Sequence, residues 1–317
     1  MKTLPENRPL VHLGVDVAKD ELVLDCHGVI RRFPNQPKGI KALLKAVAQL
    51  PLLAHLVCES TGGYEKPLVQ ASLLAGTRIS VVPPQRPRHF AKSLGKLAKS
   101  DPIDAANLSR YGCHARPEPM SPRDPNRQQL DDLMRARAAL LDSLLRETNR
   151  GEHHACKFVK AIHKDLVARY RKHLAALDTR IAELIGSDKD LSKADAKLRE
   201  VAGVGAQTSR ALLAFLPELG HVGRRAIAAL AGLAPYDNDS GKFKGKRFIQ
   251  GGRNQIRRAL YMAALTASRF NPLLAAFYQS LRKAGKPPKV ALVAVARKLL
   301  VHLNSRMAQL RENPVAP

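Results

Sequence analysis

The sequence predicts an α/β unit followed by a helical remainder. The α/β unit is a mixed sheet with flanking helices; a central helical arm and a mainly helical C-terminal domain come after it. Three observations carry this reading. Short apolar runs with turn signals between them fill residues 10–83 and alternate with helix-period segments. A stretch with four prolines, "RPEPMSPRDPN" (Arg116 to Asn126), then interrupts the chain. Beyond it, leucines recur at helical spacing with charges between them.

In the α/β part, "LVHLGVDVA" alternates around Gly14 and Asp16 and reads as a strand. "ELVLDCHG" and, after a glycine turn, "VIRRF" make two more extended runs linked as hairpins. "PKGIKALLKAVAQL" has helical spacing, and "AHLVCES" is an apolar strand that stops at Glu59 before the turn "TGGY". "EKPLVQASLLAG" is a helix with Pro67 near its start and Gly76 at its end. "RISVVP" is a short strand, and a helix from about Asp101 to Tyr111 follows. Three strands, then helix, strand, helix, strand, helix, fit a mixed sheet with helices on its faces.

After the prolines, Leu130, Leu133, Leu140, Leu141, Leu144 and Leu145 share one helix face, and Leu166, Leu174, Leu177, Ile181 and Leu184 continue the pattern. A packed helical hairpin and a dimerising coiled-coil arm both fit. From about Ser192, "LREVAGVGAQTSRALLAFLPELG" reads as helix, tight Gly203-Val204-Gly205 turn, helix. That outline matches a helix-hairpin-helix, whose turn can offer backbone N–H groups to a phosphate, and equally an ordinary helix turn. "RRAIAALAGLAPY" is another helix, the loop "DNDSGKFKGKRFIQGGRNQ" follows, and three helices finish the chain, with breaks at Asn271-Pro272 and Pro287-Pro288. The domain boundaries expected are 1–115, 116–191 and 192–317.

Charge narrows the partner. Lys and Arg number 53 against 27 Asp and Glu, a net charge of +26. From Gly241 to Pro317 there are 16 Lys/Arg and one acid, Glu312. Such a field calls for a polyanion, and nucleic acid fits because neutralising phosphates releases counterions. An anionic membrane fits less well, since no basic helix face stands opposite a Trp/Phe-rich one. No apolar run is long enough to span a bilayer, and the N-terminus has no apolar signal segment; the expectation is a cytoplasmic bacterial protein, associated with the nucleoid. Cys26, Cys58, Cys113 and Cys156 are scattered without a CxxC pair, which argues against a zinc ribbon or disulfide frame. "HHAC" (His153 to Cys156) has too few ligands for a zinc site.

The chemistry centres on carboxylates. In "KSDPIDAANLSRYG", Pro102 suits a first helical position, which makes Asp101 the expected N-cap and Asp104 the third helical residue, as in a capping box. A structural role therefore suffices for both. Yet Asp16 interrupts an apolar strand and Glu59 ends another, positions where an unpaired charge is costly. Two strand ends and a helix start can bring four carboxylates together. Oxygen-only ligands suit Mg²⁺ or Mn²⁺, and two such ions can clamp a phosphodiester.

An Asp on the first strand, a Glu on the fourth and D-x-x-D on a helix resemble the DEDD pattern of RuvC-like, RNase H-fold enzymes. "GVDVAKDELVLDCHG", "ESTGGYEKPL", "KSDPIDAANLSRYG", "VAGVGAQTSRALLAFLPELG" and "LAGLAPYDNDSGKFKGKRFIQGGRNQIRRALYMAAL" resemble, in order and over nearly the whole chain, the IS110/IS1111 family of transposases. The resemblance implies that Asp16, Glu59, Asp101 and Asp104 are catalytic metal ligands. It also implies that Ser240, in "YDNDSGKFKGKR", is a nucleophile forming a phosphoserine link to DNA. On local chemistry alone Ser240 is a turn residue. Lys242, Lys244, Lys246, Arg247 and Arg253, with Arg257 and Arg258, are the candidate nucleic-acid-binding set; a solvated basic loop gripping the backbone is the plainer reading of each. The family further implies donor and target double-stranded DNA as partners, an element-encoded bridge RNA that specifies them by pairing, and a homo-oligomer, dimer or tetramer. A Holliday-junction-resolvase-like endonuclease and a non-enzymatic basic nucleic-acid-binding protein are the alternatives.

Overall fold

The computed structural model describes residues 10–26, 28–95, 100–122, 124–153, 156–238, 245 and 247–312. The chain forms two compact units, Met1–Pro122 and Arg123–Pro317.

The first unit is built on five strands: β1 (Leu10–Val17), β2 (Glu21–Cys26), β3 (Val29–Pro34), β4 (Leu53–Glu59) and β5 (Arg78–Val82). Their order is β3-β2-β1-β4-β5. The β1–β2 and β2–β3 pairs are antiparallel; β1–β4 and β4–β5 are parallel. Among the described residues, four helices accompany them: α1 (Pro37–Ala48), α2 (Lys66–Leu74), α3 (Gln85–Ser93) and α4 (Asp101–Ala115). β1 and β4 are buried at nearly every position because helices cover both faces, as expected for the parallel part of a sheet, although on β1 His12, Gly14 and Asp16 alternate with the apolar residues. Leu13, Val15, Leu56 and Cys58 pack with Ile40 and Leu43 of α1 and with Leu68 and Val69 of α2. Val57 and Val82 pack with Leu108 and Tyr111 of α4 on the other face, beside Phe90 of α3.

α4 lies very close to the sheet, and two glycines allow it. A Cβ on Gly14 would sit 2.0 Å from the carbonyl oxygen of Ala105, and one on Gly112 would sit 2.8 Å from His12 Cβ and 2.9 Å from Val57 Cγ2. The β1–β2 register covers Val15 to Val17. Just before it, the Gly14 N–H donates to the buried Ser109 hydroxyl of α4 at 2.7 Å.

Two local expectations need correction. The helix that bears the acids is capped by Ser100, whose backbone is extended; Asp101 is its first residue and Asp104 its fourth. The Asp104 N–H closes the first turn onto the Ser100 carbonyl at 2.8 Å. No capping box exists here, because the helix starts one residue earlier than Pro102 suggested. α3 was also not expected. Its sequence, QRPRHFAKS, turns only Pro87, Ala91 and Phe90 inward, too few apolar positions for a visible period.

The second unit opens with two long helices, α5 (Pro125–Glu152) and α6 (Lys157–Ser187). Asp124 caps α5 by accepting from the Arg127 N–H. The base of this pair is fixed by Asp178, which accepts from Arg137 Nε at 2.8 Å and from Gln207 Nε2 at 2.9 Å, with Arg210 at 3.5 Å. Burial alone would raise the Asp178 pKa; these donors outweigh it and hold the carboxyl below its ordinary range. α7 (Lys189–Arg199) follows at once, capped by Asp188, so it starts three residues before Ser192. α8 (Ala206–Phe215) and α9 (Arg224–Leu230) come next, then β6 (Pro235–Tyr236), β7 (Phe248–Ile249), α10 (Asn254–Phe270), α11 (Pro272–Lys283) and α12 (Pro288–Glu312). The loop expected between α9 and α10 thus contains a strand that pairs antiparallel with β6. One core joins Leu130, Met134 and Ile181 of the long pair to Leu198, Leu212, Phe215, Leu260 and Leu299 of the later helices. Gly203, in the α7–α8 turn, has φ +102°, and a Cβ there would lie 2.6–2.8 Å from Ala267, so close packing on α10 accounts for this glycine. Gly205 faces open space.

Candidate active site

The sheet brings two of the predicted acids to one place. In the parallel β1–β4 ladder Val15 is level with Cys58. One step further along, Asp16 and Glu59 stand side by side at the carboxyl ends of neighbouring strands, about 5 Å apart along the pairing direction. Alternation then fixes their face. Gly14 and His12 on β1, and Val57 on β4, meet α4, so Asp16 and Glu59 belong to that face too. His12 meets α4 at Gly112 and Gly14 meets it at Ala105 and Leu108. The strand therefore climbs toward the start of α4 as its number rises. Two residues on, Asp16 comes level with the first turn, where Asp101 and Asp104 lie. Asp16, Glu59 and Asp104 are half-buried and Asp101 is exposed.

The loops that follow the two strand ends are tied to one another. Asn35 Nδ2 donates to the Ala18 carbonyl at 2.8 Å, after β1, and to the Tyr64 carbonyl at 3.1 Å, after β4. The β4 loop holds its own shape. Glu65 Oε2 accepts from the Thr61 hydroxyl at 2.8 Å, the Gly63 N–H at 2.9 Å and the Thr61 N–H at 3.2 Å. Gly62 and Gly63 supply the positive φ values, +78° and +129°, that the turn requires. Burial works against ionisation of Glu65, but these hydrogen bonds prevail and its pKa lies below the ordinary carboxylate value. The "TGGYE" segment is thus a built turn directly after Glu59.

The donor set is all oxygen, which suits Mg²⁺ or Mn²⁺. Among the described residues, no three His, Cys, Asp or Glu side chains lie close enough together to hold a metal ion. The β1–β4 register sets Asp16 beside Glu59, and Asp101 and Asp104 lie in the first turn of the helix that covers that face, but among the described residues the four side chains do not close into a cage.

Ser240, Lys242, Lys244 and Lys246 lie outside the described residues. The segments that flank them are firmly pinned. β6 and β7 pair Pro235 with Ile249 and Tyr236 with Phe248, and Arg247 forms an ion pair with Asp237. A Cβ on Gly252 would meet the Gly232 nitrogen at 2.1 Å, and the Arg253 N–H donates to the Leu230 carbonyl at 2.8 Å. Three other members of the predicted basic set also have partners within this unit. Arg253 makes a two-pronged contact with Glu218, Nη2 to Oε1 at 2.6 Å. Arg257 donates to the Gly251 carbonyl at 2.8 Å. Arg258 is 3.8 Å from Asp142.

Sequence reasoning missed Gly14 and Gly112, which set how closely the acid-bearing helix approaches the sheet. A lone glycine within an apolar strand was the available signal. It also missed a buried histidine pair on the α4 side of the sheet. His12 and His55 have ring centroids 4.9 Å apart, and His55 Nε2 lies 2.8 Å from Ser80 Oγ, which donates to the Glu118 carbonyl at 2.6 Å. Burial, then the neighbouring His12 and Arg78, push the His55 pKa down to about 4.

The parallel strands thus end in two acids, with two more on the covering helix, and comparison with known proteins gives the family. Residues 13–159 match a DEDD-type family model described as "Transposase", and residues 195–279 match one described as "Transposase IS116/IS110/IS902 family". The chain belongs to this family of transposases, enzymes of DNA recombination. It is 29% identical over 301 residues to the pilin gene-inverting protein of Moraxella bovis, covering 91% of this chain and 93% of that one. Over 108 residues it is 31% identical to an uncharacterised 43.6 kDa protein of insertion element IS110 from Streptomyces coelicolor, covering 32% of this chain and 25% of that one. Over 91 residues it is 37% identical to an uncharacterised 42 kDa protein of insertion element IS900 from Mycobacterium paratuberculosis, covering 28% of this chain and 22% of that one. No helix among the described residues is long and apolar enough to cross a membrane.

Proposed function

We propose that this transposase excises and inserts an insertion sequence by metal-assisted cleavage and strand exchange through a serine–DNA intermediate. The observation that carries the proposal is the β1–β4 register, which sets Asp16 beside Glu59 on the face covered by the helix of Asp101 and Asp104. The strand order and the mixed pairing are compatible with an RuvC-like, RNase H-type sheet, which supports this reading. On this reading Asp16, Glu59, Asp101 and Asp104 hold Mg²⁺ or Mn²⁺. Held by these carboxylates, such ions would supply positive charge at the phosphoryl oxygens and acidity at a nearby hydroxyl.

The Ser240 Oγ–phosphorus bond forms as the phosphorus–oxygen bond to the departing strand breaks. The serine proton leaves, and the departing oxygen is released as a hydroxyl. The energy of the phosphodiester is kept in the serine ester and is available for rejoining. Lys242, Lys244, Lys246 and Arg247 neutralise the developing charge. Arg253 and Arg257 support the base of that loop as well as adding positive charge, and Arg258 adds charge beside Asp142 of α5. The three stretches 1–115, 116–191 and 192–317 serve as metal-binding domain, assembly arm and serine-bearing domain of a homo-oligomer. The large positive charge and the low aromatic content (4%) suit backbone contacts to DNA and to a guide RNA, with base pairing supplying sequence choice. The Moraxella relative is named for inverting a pilin gene, a rearrangement that strand exchange of this kind would produce.

The test is recombination of a supercoiled plasmid carrying both element junctions, in the presence of the element's flanking RNA. Asp104→Asn is expected to abolish cleavage with DNA binding intact. Ser240→Ala is expected to abolish the detergent-stable protein–DNA adduct. Normal cutting and rejoining by Ser240→Ala would remove the serine from the mechanism, and nicking without rejoining would favour the resolvase-like alternative.

A further inference from the structure

α3 has no role in the reading above, although its chemistry suits one. From Lys66 to Ser100 the chain carries seven Lys/Arg and no acid. Four basic side chains of α3, Arg86, Arg88, His89 and Lys92, are exposed. Among the described residues, Arg86, Arg88 and Lys92 have no carboxylate partner, whereas Arg32, Arg135, Arg137, Arg253 and Arg306 are paired. Loose surface cations are common, so charge alone decides nothing here.

Placement and rigidity decide it. α3 leaves β5 just beyond Val82, whose carbonyl accepts from the Ser60 N–H at 3.0 Å, one residue after Glu59. It therefore starts at the carboxyl end of the parallel strands, the end that carries Asp16 and Glu59. Its inward residues Pro87 and Ala91 are buried. Phe90 stacks on His114 at 5.1 Å and meets the Tyr111 ring edge-on at 5.9 Å, both residues of α4. α3 thus descends alongside α4, and Arg86 stands one turn, about 6 Å, nearer the acid end than Phe90. A helix this short is marginal by itself and gains its order from that packing.

We infer that α3 is a docking ridge for the phosphate backbone of the DNA strand that enters the carboxylate end of the sheet, with Arg86, Arg88 and Lys92 as its contacts. The inference rests on the proposed cleavage at those carboxylates. A row of acids repels DNA, and a rigid cationic ridge beside them offsets that repulsion and sets the height at which the backbone passes. Phosphate contacts of this kind give position and affinity without sequence preference.

The experiment compares full-length wild type with Arg86→Glu/Arg88→Glu/Lys92→Glu. Binding to a junction-containing duplex DNA, and separately to an RNA of equal length, is followed by fluorescence anisotropy from 50 to 300 mM salt. Lys38→Glu/Lys41→Glu/Lys45→Glu on α1, on the opposite face of the sheet, controls for net charge. The α3 variant is expected to keep its melting temperature, since all three side chains are exposed, and to lower the slope of log K against log salt for DNA by about 2–3. The α1 variant should change that slope by less than half as much. Equal losses in the two variants would overturn the inference, as would a loss confined to RNA or an unchanged DNA slope. Cleavage by wild type, abolished by Asp104→Asn, tests the underlying reading separately. If cleavage fails there while the α3 slope still falls, the proposed catalysis is wrong and the ridge remains a DNA-binding surface.

Discussion

Gly14→Ala is the sharpest test of how the fold positions the acids. The added methyl would lie 2.0 Å from the Ala105 carbonyl oxygen, 2.6 Å from the Ser109 nitrogen and 2.7 Å from Leu108 Cβ. Ordinary contact is about 3.4 Å, so α4 must retreat by roughly 1.4 Å. Two of the three obstructing atoms are backbone, so no rotamer change relieves the strain. Overpacking of this kind costs about 1–3 kcal/mol. Retreat would also stretch the buried hydrogen bond from Gly14 N–H to Ser109. For a domain of this size the cost corresponds to a fall in melting temperature of roughly 4–12 °C. Because α4 carries Asp101 and Asp104, a displacement of an ångström or more at the start of the helix should lower the cleavage rate by about 10²-fold. Differential scanning calorimetry and plasmid cleavage under identical conditions measure the two effects. Gly186→Ala is the control: nothing lies within 4 Å of its Cβ position inside α6, and the change should stabilise by up to about 1 kcal/mol. If Gly14→Ala melts and cuts like wild type, the argument that close approach of α4 sets the site is refuted.

His55 is 2% exposed and its folded pKa is about 4 against an unfolded value of 6.5, so its neutral form is the one that folds. Its stabilising contribution is complete above pH 6.5 and is lost as pH falls toward 4, up to about 3 kcal/mol. His12 shifts in the same direction. The urea midpoint should therefore drop steeply between pH 6.5 and 4, and His55→Gln should flatten that drop. Arg137→Ala leaves Asp178 with weaker partners at the base of the long helical pair and should cost about 1–3 kcal/mol, read from denaturant melts. Arg253→Ala should lower thermal stability by about 1–2 kcal/mol through loss of the Glu218 contact, and Glu218→Gln should reproduce much of that loss. An effect of Arg253→Ala on DNA affinity alone, at unchanged melting temperature, would show that the Glu218 contact carries no stability.

The strands were legible because β1 alternates and β4 is a short apolar run, both bounded by turns, and because Asp16 and Glu59 stand out against that background. The acid pair on α4 was legible as D-x-x-D, though Pro102 misled the placement of the cap: proline is accepted in either of the first two helical positions. α3 escaped notice because a helix resting on three inward residues leaves no period to detect. The pairing of β6 with β7 escaped because two-residue strands have no pattern, and only Gly232 and Gly252, in contact across the sequence, mark their meeting. Gly14 fitted the alternation of its strand, while its reason lies 91 positions away, at Ala105.

The Thr61–Glu65 turn has a kinetic consequence. Its shape is held by one carboxylate and three local donors, so the loop beside Glu59 is ordered before any nucleic acid arrives. Ordering a flexible five-residue loop at the moment of encounter would cost about 1–2 kcal/mol of entropy per residue. That cost has already been met during folding. On the proposed function, a strand that reacts at Glu59 would meet a rigid wall there, and the search for a productive pose would fall to the nucleic acid.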